Sequence, residues 1–451
     1  MYVRKALFAV VAATAFIAST LSHVSAADTI TLPAPLNPAD FQAFDEKRAA
    51  LGQLLFYDKI LSGNRNISCG TPRHSHDHAS ADGLSLGIGE GGVGLGPKRH
   101  FSENLSEMPK KRVPRNANAL FNLGHKDFRV LFHDGRLSVD NLYGNGFNTP
   151  AEEWFPKGLT SVAAAQAMFP ITSEVEMGGS VEENDVAAAR RERIDRVWPV
   201  IAKRIWANDA YVEKFKAAYN DVNQAGDITM IHIANAIGDF INSEFRSDQS
   251  PFDAYINGNT SALDPRQKAG LELFYGRANC ASCHSGALFT DQKFYALALP
   301  PIGPGRIRAF DPMPRDVGRM GETDDLADAY RFRTPTLRNV ERTGPYGHNG
   351  TYATLEGIIR HHLDPVTALE SWDRSQVVMP KLARFEATDF AIFDDSREMA
   401  RLKHRIDIKP IQLSDTEISN LVAFMRSLTD EAAIKGRLGK PDKVPSGLSI
   451  D

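Results

Sequence analysis

The feature that most constrains this chain is the run Cys280-Ala281-Ser282-Cys283-His284. Two thiols three residues apart can add across the two vinyl groups of one porphyrin. The adjacent His284 is then placed to ligate the iron from the proximal side. The competing uses of such a pair are a redox dithiol and half of a zinc site. A redox dithiol does not need the immediate histidine. A Cys-rich zinc site needs a second cysteine pair, and the remaining cysteine, Cys69, stands by itself. Three cysteines, two of them this close, suit covalent attachment of haem c better than a disulfide framework.

Arg4 and Lys5 precede an apolar run over residues 6–21, and Val24-Ser25-Ala26 supplies the small residues of a cleavage site. This is the pattern of a secretory signal peptide over residues 1–26. The alternative, an uncleaved anchor, wants a span of roughly 20 apolar residues. No later stretch is long and apolar enough to cross a bilayer, so the mature protein is expected to have no membrane span and to reside in the periplasm. Cleavage removes Arg4 and Lys5 and takes the net charge from -4 to -6. That acidity argues against nucleic acid as a partner, because phosphate binding wants a basic face. Most of the 451 residues remain, more than one compact core usually holds, so two domains are expected.

The pattern predicts a mainly α chain with long loops. Residues 40–57 read as an amphipathic helix, and residues 62–118, rich in Gly, Ser, Asn and Pro, as loop. Helical periodicity runs through 185–219 and 228–245, with Ile233, Ile237, Phe240 and Ile241 on one face. Asp264-Pro265 predicts a helix start, with Asp as N-cap and Pro at the first helical position, and that helix delivers the chain to Cys280. Ser414-x-x-Glu417 is a capping-box signature. Ser250-Pro251 marks the expected boundary between an N-terminal domain, residues 40–250, and a C-terminal domain, residues 251–435. The run from Gly89 to Gly96 lacks the Lys-Ser/Thr and the preceding strand of a phosphate loop, and reads as flexible connection.

Residues 352–363 predict a helix ended by Asp364-Pro365. Leu355, Ile358, Ile359 and His362 share one apolar face, and His361 points elsewhere. His362 is therefore a candidate sixth iron ligand; the competing reading is a hydrogen-bonded core histidine. Met313 and Met320, in the preceding loop, are rival ligands.

After the haem motif come Phe289-Thr-Asp, Phe332-Arg-Thr-Pro-Thr-Leu-Arg-Asn339, Pro345-Tyr-Gly-His348-Asn-Gly350 and Thr354-Leu-Glu. This series closely resembles the bacterial di-haem cytochrome c peroxidase family, which includes the MauG-type protein oxidases. The resemblance covers most of residues 45–430 and is strongest from 265 to 363. It implies two cytochrome c-like helical domains with one haem each, the C-terminal haem being the electron-transfer centre. It also puts the sixth ligand of that haem at His362. Peroxidases of the family commonly carry Met there and MauG carries Tyr; a bis-His site implies a lower potential than His/Met. The resemblance further implies a calcium ion between the domains, on the Asn116 side chain and the carbonyls of Thr343 and Pro345. An all-oxygen set suits calcium, and ordinary turn chemistry is the competing reading.

In the first half, Phe132-His-Asp-Gly-Arg136 resembles the family's Phe-Trp-Asp-Gly-Arg. Gln166 and Pro170 precede Glu176-Met-Gly-Gly at the family's offsets. Glu176 thus falls on the family's catalytic acid–base carboxylate, and Gln166 on a residue able to orient water or peroxide. Breaking a peroxide O–O bond requires a proton to move from one oxygen to the other, and one carboxylate within reach of both can carry it. The residues alone read Glu176 as a solvated loop carboxylate.

Two departures stand out. His133 replaces a Trp that lies between the haems in the family, with Trp154 nearby in sequence. The first haem motif is also broken: the chain reads Cys69-Gly-Thr-Pro72-Arg73-His74-Ser-His76-Asp-His78. Pro72 replaces the second thiol. Arg73 replaces the proximal histidine, and a permanently protonated guanidinium is not a usable iron ligand. Three explanations stand side by side. Cys69 makes a single thioether while His74, His76 or His78 ligates from a shifted register; the site has lost its haem; or a local frameshift or sequencing error covers an intact motif. Three histidines at alternate positions also suit a metal such as zinc or copper.

The leading expectation is a periplasmic peroxidase reducing hydrogen peroxide to water. Its electrons come from a small donor protein, a cytochrome c or cupredoxin, through the C-terminal haem. The alternatives are a MauG-type oxidase of another protein or small molecule and, without the N-terminal haem, a mono-haem electron carrier or redox sensor. Homodimers are common in the family, though no residue here marks an interface.

Overall fold

The chain is helical because its apolar residues recur at helical spacing between well-formed caps. In the computed structural model the principal helices are α1 (Glu46–Tyr57), α2 (Val162–Ala167), α3 (Val197–Trp206), α4 (Met230–Glu244), α5 (Pro265–Tyr275), α6 (Leu355–Leu363) and α7 (Asp415–Arg426). Strands are short. A three-stranded antiparallel sheet joins β1 (Val130–Leu131), β2 (Leu137–Val139) and β3 (Phe147–Asn148), and β4 (Phe294–Tyr295) pairs with β5 (Phe332–Arg333). The described residues are 30–71, 82–104, 108–306, 308, 310–311 and 313–451. The expected signal peptide, residues 1–26, and the broken motif from Pro72 through Arg73, His74, His76 and His78 lie outside them.

The two halves repeat one device. In each, the helix leading to a cysteine segment crosses a later helix at a glycine. Helix α1, capped by the Asp45 carboxylate, precedes Cys69 and crosses α4 at Gly52, where a Cβ would stand 1.9 Å from the Ala236 carbonyl oxygen. Helix α5 precedes Cys280 and crosses α7 at Gly270, where a Cβ would stand 2.0 Å from the Asn420 carbonyl oxygen. No other side chain permits either approach. Helix α5 carries the reciprocal Asp264–Gln267 capping box with Pro265 in its first turn, and α7 the Ser414–Glu417 box.

Around the first crossing, Phe56, Tyr57, Phe240 and Phe245 form a fully buried aromatic cluster continuous with Trp198, Ile201 and Ile205 of α3. The second crossing buries Phe274, Phe289, Phe252 and Phe424 against one another. The end of the chain returns to the first half: Ala433, Ile434 and Val444 join its core, and the Glu244 carboxylate accepts the amides of Arg437, Leu438 and Gly439. Residues Leu32–Asp451 make one compact unit. Among the described residues no helix is long and apolar enough to cross a membrane.

Several elements differ from the sequence reading. The helix expected over 40–57 begins only at Glu46, because Phe41 is extended and bridges His125. The helix expected from 352 begins at Leu355, because Tyr352 pairs with Tyr346 and Thr354 caps the first turn. The periodic stretch 185–219 is divided among three α-helices and a 3-10 turn at Ile194–Arg196. The glycine run read as flexible connection is packed over its first part: buried Arg99 donates to the carbonyls of Ile88, Gly89 and Gly94 at 2.7–2.8 Å.

Candidate functional site

A cavity of about 700 Å³ lies between α6, α7, the segment carrying Cys280 and the loops that follow it. Cys280, Cys283 and His284 line one side, and Leu355, Ile358, Ile359 and His362 of α6 line another. The two imidazoles face each other with ring centres 6.5 Å apart. A metal–imidazole bond is about 2 Å long, so two rings on one ion have their centres roughly 6 Å apart. The Nδ1–H of His284 donates to the Phe289 carbonyl at 3.1 Å, and that of His362 to the Ile358 carbonyl at 2.8 Å. Each ring thereby keeps Nε2 for the cavity, with its tautomer fixed by a backbone acceptor. Burial lowers both rings' proton affinity, His284 down to about 4, so both are neutral and available as ligands. Two thiols, two facing neutral imidazoles and a large apolar space fit a haem c.

His361 is fully buried outside this cavity, bonded to the Tyr352 hydroxyl at 2.8 Å and the Leu297 carbonyl at 2.7 Å. Met313 and Met320 do not line the cavity, whereas Met425 of α7 does. Met320 is instead packed against Ala296, Tyr330 and Leu402.

A second, smaller cavity of about 120 Å³ brings together Cys69, Gln166, Pro170 and Glu176. Gln166 comes from α2, which Ser161 caps. Glu176 sits in a single π-helical turn, Glu174–Gly178, a deformation often found at functional positions. No disulfide involves Cys69, Cys280 or Cys283. The described residues thus give this cavity one thiol, from Cys69, and the polar side chains of Gln166 and Glu176. Any proximal ligand from His74, His76 or His78 lies outside them.

The two cavities share a wall made of Pro114, Asn116, Ala117, Asn118 and His133. The His133 Nε2–H donates to the Asn116 carbonyl at 3.0 Å, and its ring lies edge-on to His348 at 6.5 Å. His348 in turn stacks on Phe332 at 3.6 Å. Burial and the Arg115 charge take His133 down to about 3, and burial takes His348 to about 4. The wall is therefore uncharged over the physiological range. Trp154 lines neither cavity; it is half-exposed beneath Arg193.

Asn116 donates Nδ2–H to the Pro345 carbonyl at 2.7 Å, and its Oδ1 is buried with no hydrogen-bond partner among the described residues. Thr343 and Pro345 line the large cavity beside it. Among the described residues no cluster of three His, Cys, Asp or Glu side chains forms a metal site.

Residues 46–261 match the family model described as di-haem cytochrome c peroxidase. The methylamine utilization protein MauG of Methylorubrum extorquens is 26% identical over 387 residues, 86% of this chain and 79% of that protein. The cytochrome c551 peroxidase of Pseudomonas aeruginosa is 25% identical over 318 residues, 70% of this chain and 72% of that one. Residues 46–261 form a di-haem cytochrome c peroxidase domain, and relatives named for that activity align with most of the chain. The chain is accordingly an oxidoreductase of the cytochrome c peroxidase type, with haem c as its cofactor. Among solved structures, a MauG-like protein associated with microbial copper homeostasis has the same fold, with a TM-score of 0.56 and 24% identity over 90% of this chain and 95% of that one. The family model matches the half in which the cysteine motif is broken, so the damage is local within a first half that otherwise keeps the peroxidase pattern.

Sequence reasoning missed a set of groups that the fold brings to the smaller cavity. Asp82, Arg115 and Arg306 line it with Arg136. Arg115 and Arg306 both pair with Asp134, at 2.6 and 2.8 Å, and Arg115 also pairs with Asp316 at 2.7 Å. Arg306 and Asp316 lie far from Arg115 in sequence and carry no periodic signal; the buried polar network exists only in the folded chain.

Proposed function

We propose that this protein is a periplasmic peroxidase that reduces hydrogen peroxide to water with electrons from a small redox protein, a cytochrome c or cupredoxin. The observation that carries the reading is the common wall: the cavity of Gln166 and Glu176 abuts the cavity of Cys280, Cys283, His284 and His362 through His133. In this reading each half, meeting at Ser250, forms one haem domain. His284 and His362 would hold the C-terminal haem, which would supply the electron-accepting iron. When bound, haem would supply a redox-active iron for peroxide reduction. Glu176 takes a proton from one peroxide oxygen and returns it to the other as the O–O bond breaks. Gln166 orients the substrate, and the small volume of the cavity, about 120 Å³, limits competing water. Cys69, by one thioether, and one of His74, His76 or His78 would hold the N-terminal haem; the described space beside Cys69, about 120 Å³ against about 700 Å³ at Cys280, does not by itself fit one.

The Asn116 amide can be turned over without changing its shape. In that orientation Oδ1 faces the Pro345 carbonyl, and with Thr343 they form an oxygen set for a calcium ion. The exported location rests on the leader-like sequence of residues 1–26.

The test is to mature the protein with haem-attachment machinery and count haems by intact mass and pyridine haemochrome. Peroxide consumption is then measured with reduced cytochrome c and reduced cupredoxin. Two haems and turnover with either donor support the reading. One haem per chain favours the mono-haem electron carrier instead. Two haems with no peroxide turnover by either donor favour a MauG-type oxidase.

A further inference from the structure

Among the described residues, the charged side chains lining the larger cavity are Arg315, Asp316, Arg333, Asp407 and Lys409. Protein partners neutralise three of them: Arg315 pairs with Asp311 and Glu398, Asp316 with Arg115, and Asp407 with Arg331. Lys409 is exposed to water. Arg333 has neither remedy. It is 5% exposed and makes no ion pair among the described residues. The one carboxylate in its field, Asp134, is already held by Arg115, Arg136 and Arg306. Burial lowers the Arg333 guanidinium only to about 10, so it is charged at neutral pH. A buried charge is costly unless a counter-charge meets it.

The side chain is also held in place. Its backbone N–H donates to the His133 carbonyl at 2.8 Å, Nε to the Phe132 carbonyl at 3.1 Å and Nη1 to the Thr334 carbonyl at 3.0 Å. Cζ lies 5.7 Å from the centre of the Phe128 ring, which lines the same cavity. Nη2 donates to no group among the described residues. A guanidinium carries five N–H donors, so a fixed, charged fork keeps donors to spare at this wall.

We propose that Arg333 binds one propionate of the haem c seated in this cavity, Nη2 donating to the carboxylate. Once the vinyl groups are joined to Cys280 and Cys283, the ionised groups left on the macrocycle are its two propionates, on the edge away from the thioethers. They supply the counter-charge that the protein does not, and the planar guanidinium matches a carboxylate in shape. This pairing rests on the reading that haem c is held by Cys280, Cys283, His284 and His362. It is independent of the N-terminal haem and of peroxide turnover.

Resonance Raman spectra of the ferrous, haem-loaded protein report the pair, because the propionate bending band moves when a hydrogen bond to the carboxylate is lost. Arg333→Gln keeps an amide for the two carbonyls but has no charge, and its band is expected to shift from the wild-type position. Arg333→Lys keeps the charge without the fork, and the shift is expected to be smaller. A band unmoved in both variants, or moved equally in both as loss of the carbonyl bonds alone would do, overturns the proposal and leaves the haem site intact. Should Arg333→Gln not accumulate with haem, Arg333→Lys decides: a shifted band supports the pair and an unmoved one overturns it. Peptide mass mapping that finds no haem on Cys280 and Cys283 overturns the reading of that site, and the pairing with it.

Discussion

Removing Arg115 tests the reasoning that the two halves are clamped by buried charge. Its side chain is 7% exposed, against 0% for Asp134 and 10% for Asp316. Asp134 keeps Arg136 and Arg306 when Arg115 is lost. Asp316 keeps two backbone amides, of Gly318 and Arg306, but no other ion pair among the described residues. Arg115→Met therefore leaves one buried carboxylate without a counter-charge, and such losses cost about 3–5 kcal/mol. The pH dependence carries its own sign. Burial pushes the Asp316 carboxyl up, but the charge and hydrogen bonds of Arg115 outweigh it and hold the group down at about 2, below its unfolded value of 3.8. In the wild type, Asp316 thus contributes stability above pH 4 and loses it as the pH falls towards 2, about 2.5 kcal/mol in all at 1.36 kcal/mol per pKa unit. In the variant burial, the two amides and the weaker pull of the more distant Arg306 charge remain. The group's pKa then moves above its unfolded value, and its contribution becomes a penalty that grows as the pH rises from 4 to 7.

The assay is urea unfolding of the haem-loaded protein, followed by circular dichroism at several pH values between 3 and 7. The expected result is a loss of about 3–5 kcal/mol at pH 7 that shrinks towards pH 4. Arg115→Met with Asp316→Leu should recover much of the loss, since removing both partners removes the unpaired charge. A single variant losing less than about 1 kcal/mol, the worth of an exposed pair, with the wild-type pH slope, would refute the clamp.

Three further outcomes follow from the site. His362→Met should leave the C-terminal haem six-coordinate and raise its midpoint potential by on the order of 0.1 V, read by spectroelectrochemical titration; an unchanged potential removes His362 from the iron. Glu176→Gln should lower kcat for peroxide roughly 10²–10⁴-fold at unchanged haem content, and an unchanged kcat strips Glu176 of its proton-transfer role. Chelation with EGTA should lower the melting temperature, added calcium should restore it, and Asn116→Leu should abolish the response; a melting temperature insensitive to EGTA removes the calcium ion from Asn116, Thr343 and Pro345.

What could be read directly from the sequence was local. Cys280, Cys283 and His284 announce their chemistry by spacing, Asp264-Pro265 and Ser414-x-x-Glu417 announce helix starts, and the phase of α6 separates His362 from His361. Each signal lies within a few residues, where covalent geometry and helical periodicity dominate. The resemblance to known peroxidases supplied the pairing of Gln166 with Glu176. Asp82 and Arg99 escaped because they lie in a Gly- and Ser-rich run with no period, packed by side chain-to-backbone bonds that no propensity encodes. Arg115 and Asp316 escaped for a different reason: their partners are 201 residues apart, and only the closed fold removes them from water together.

The composition of the shared wall bears on how pH should act on this protein. His133 would be the obvious titrating group between the cavities if its ordinary pKa held. Burial beside Arg115 moves it to about 3, and burial moves His348 behind it to about 4. Neither ring gains a proton between pH 5 and 8, so the wall presents no change of charge to either cavity over that range. Asp82, raised to about 6 by burial, does titrate there and lines the smaller cavity. A change in the KM for peroxide as the pH falls through 6 is therefore the signature of the carboxylate, and it should vanish in Asp82→Asn. The same change persisting in Asp82→Asn and disappearing in His133→Phe would assign the titration to the wall instead, and would mean that the ring is far less desolvated than its burial implies.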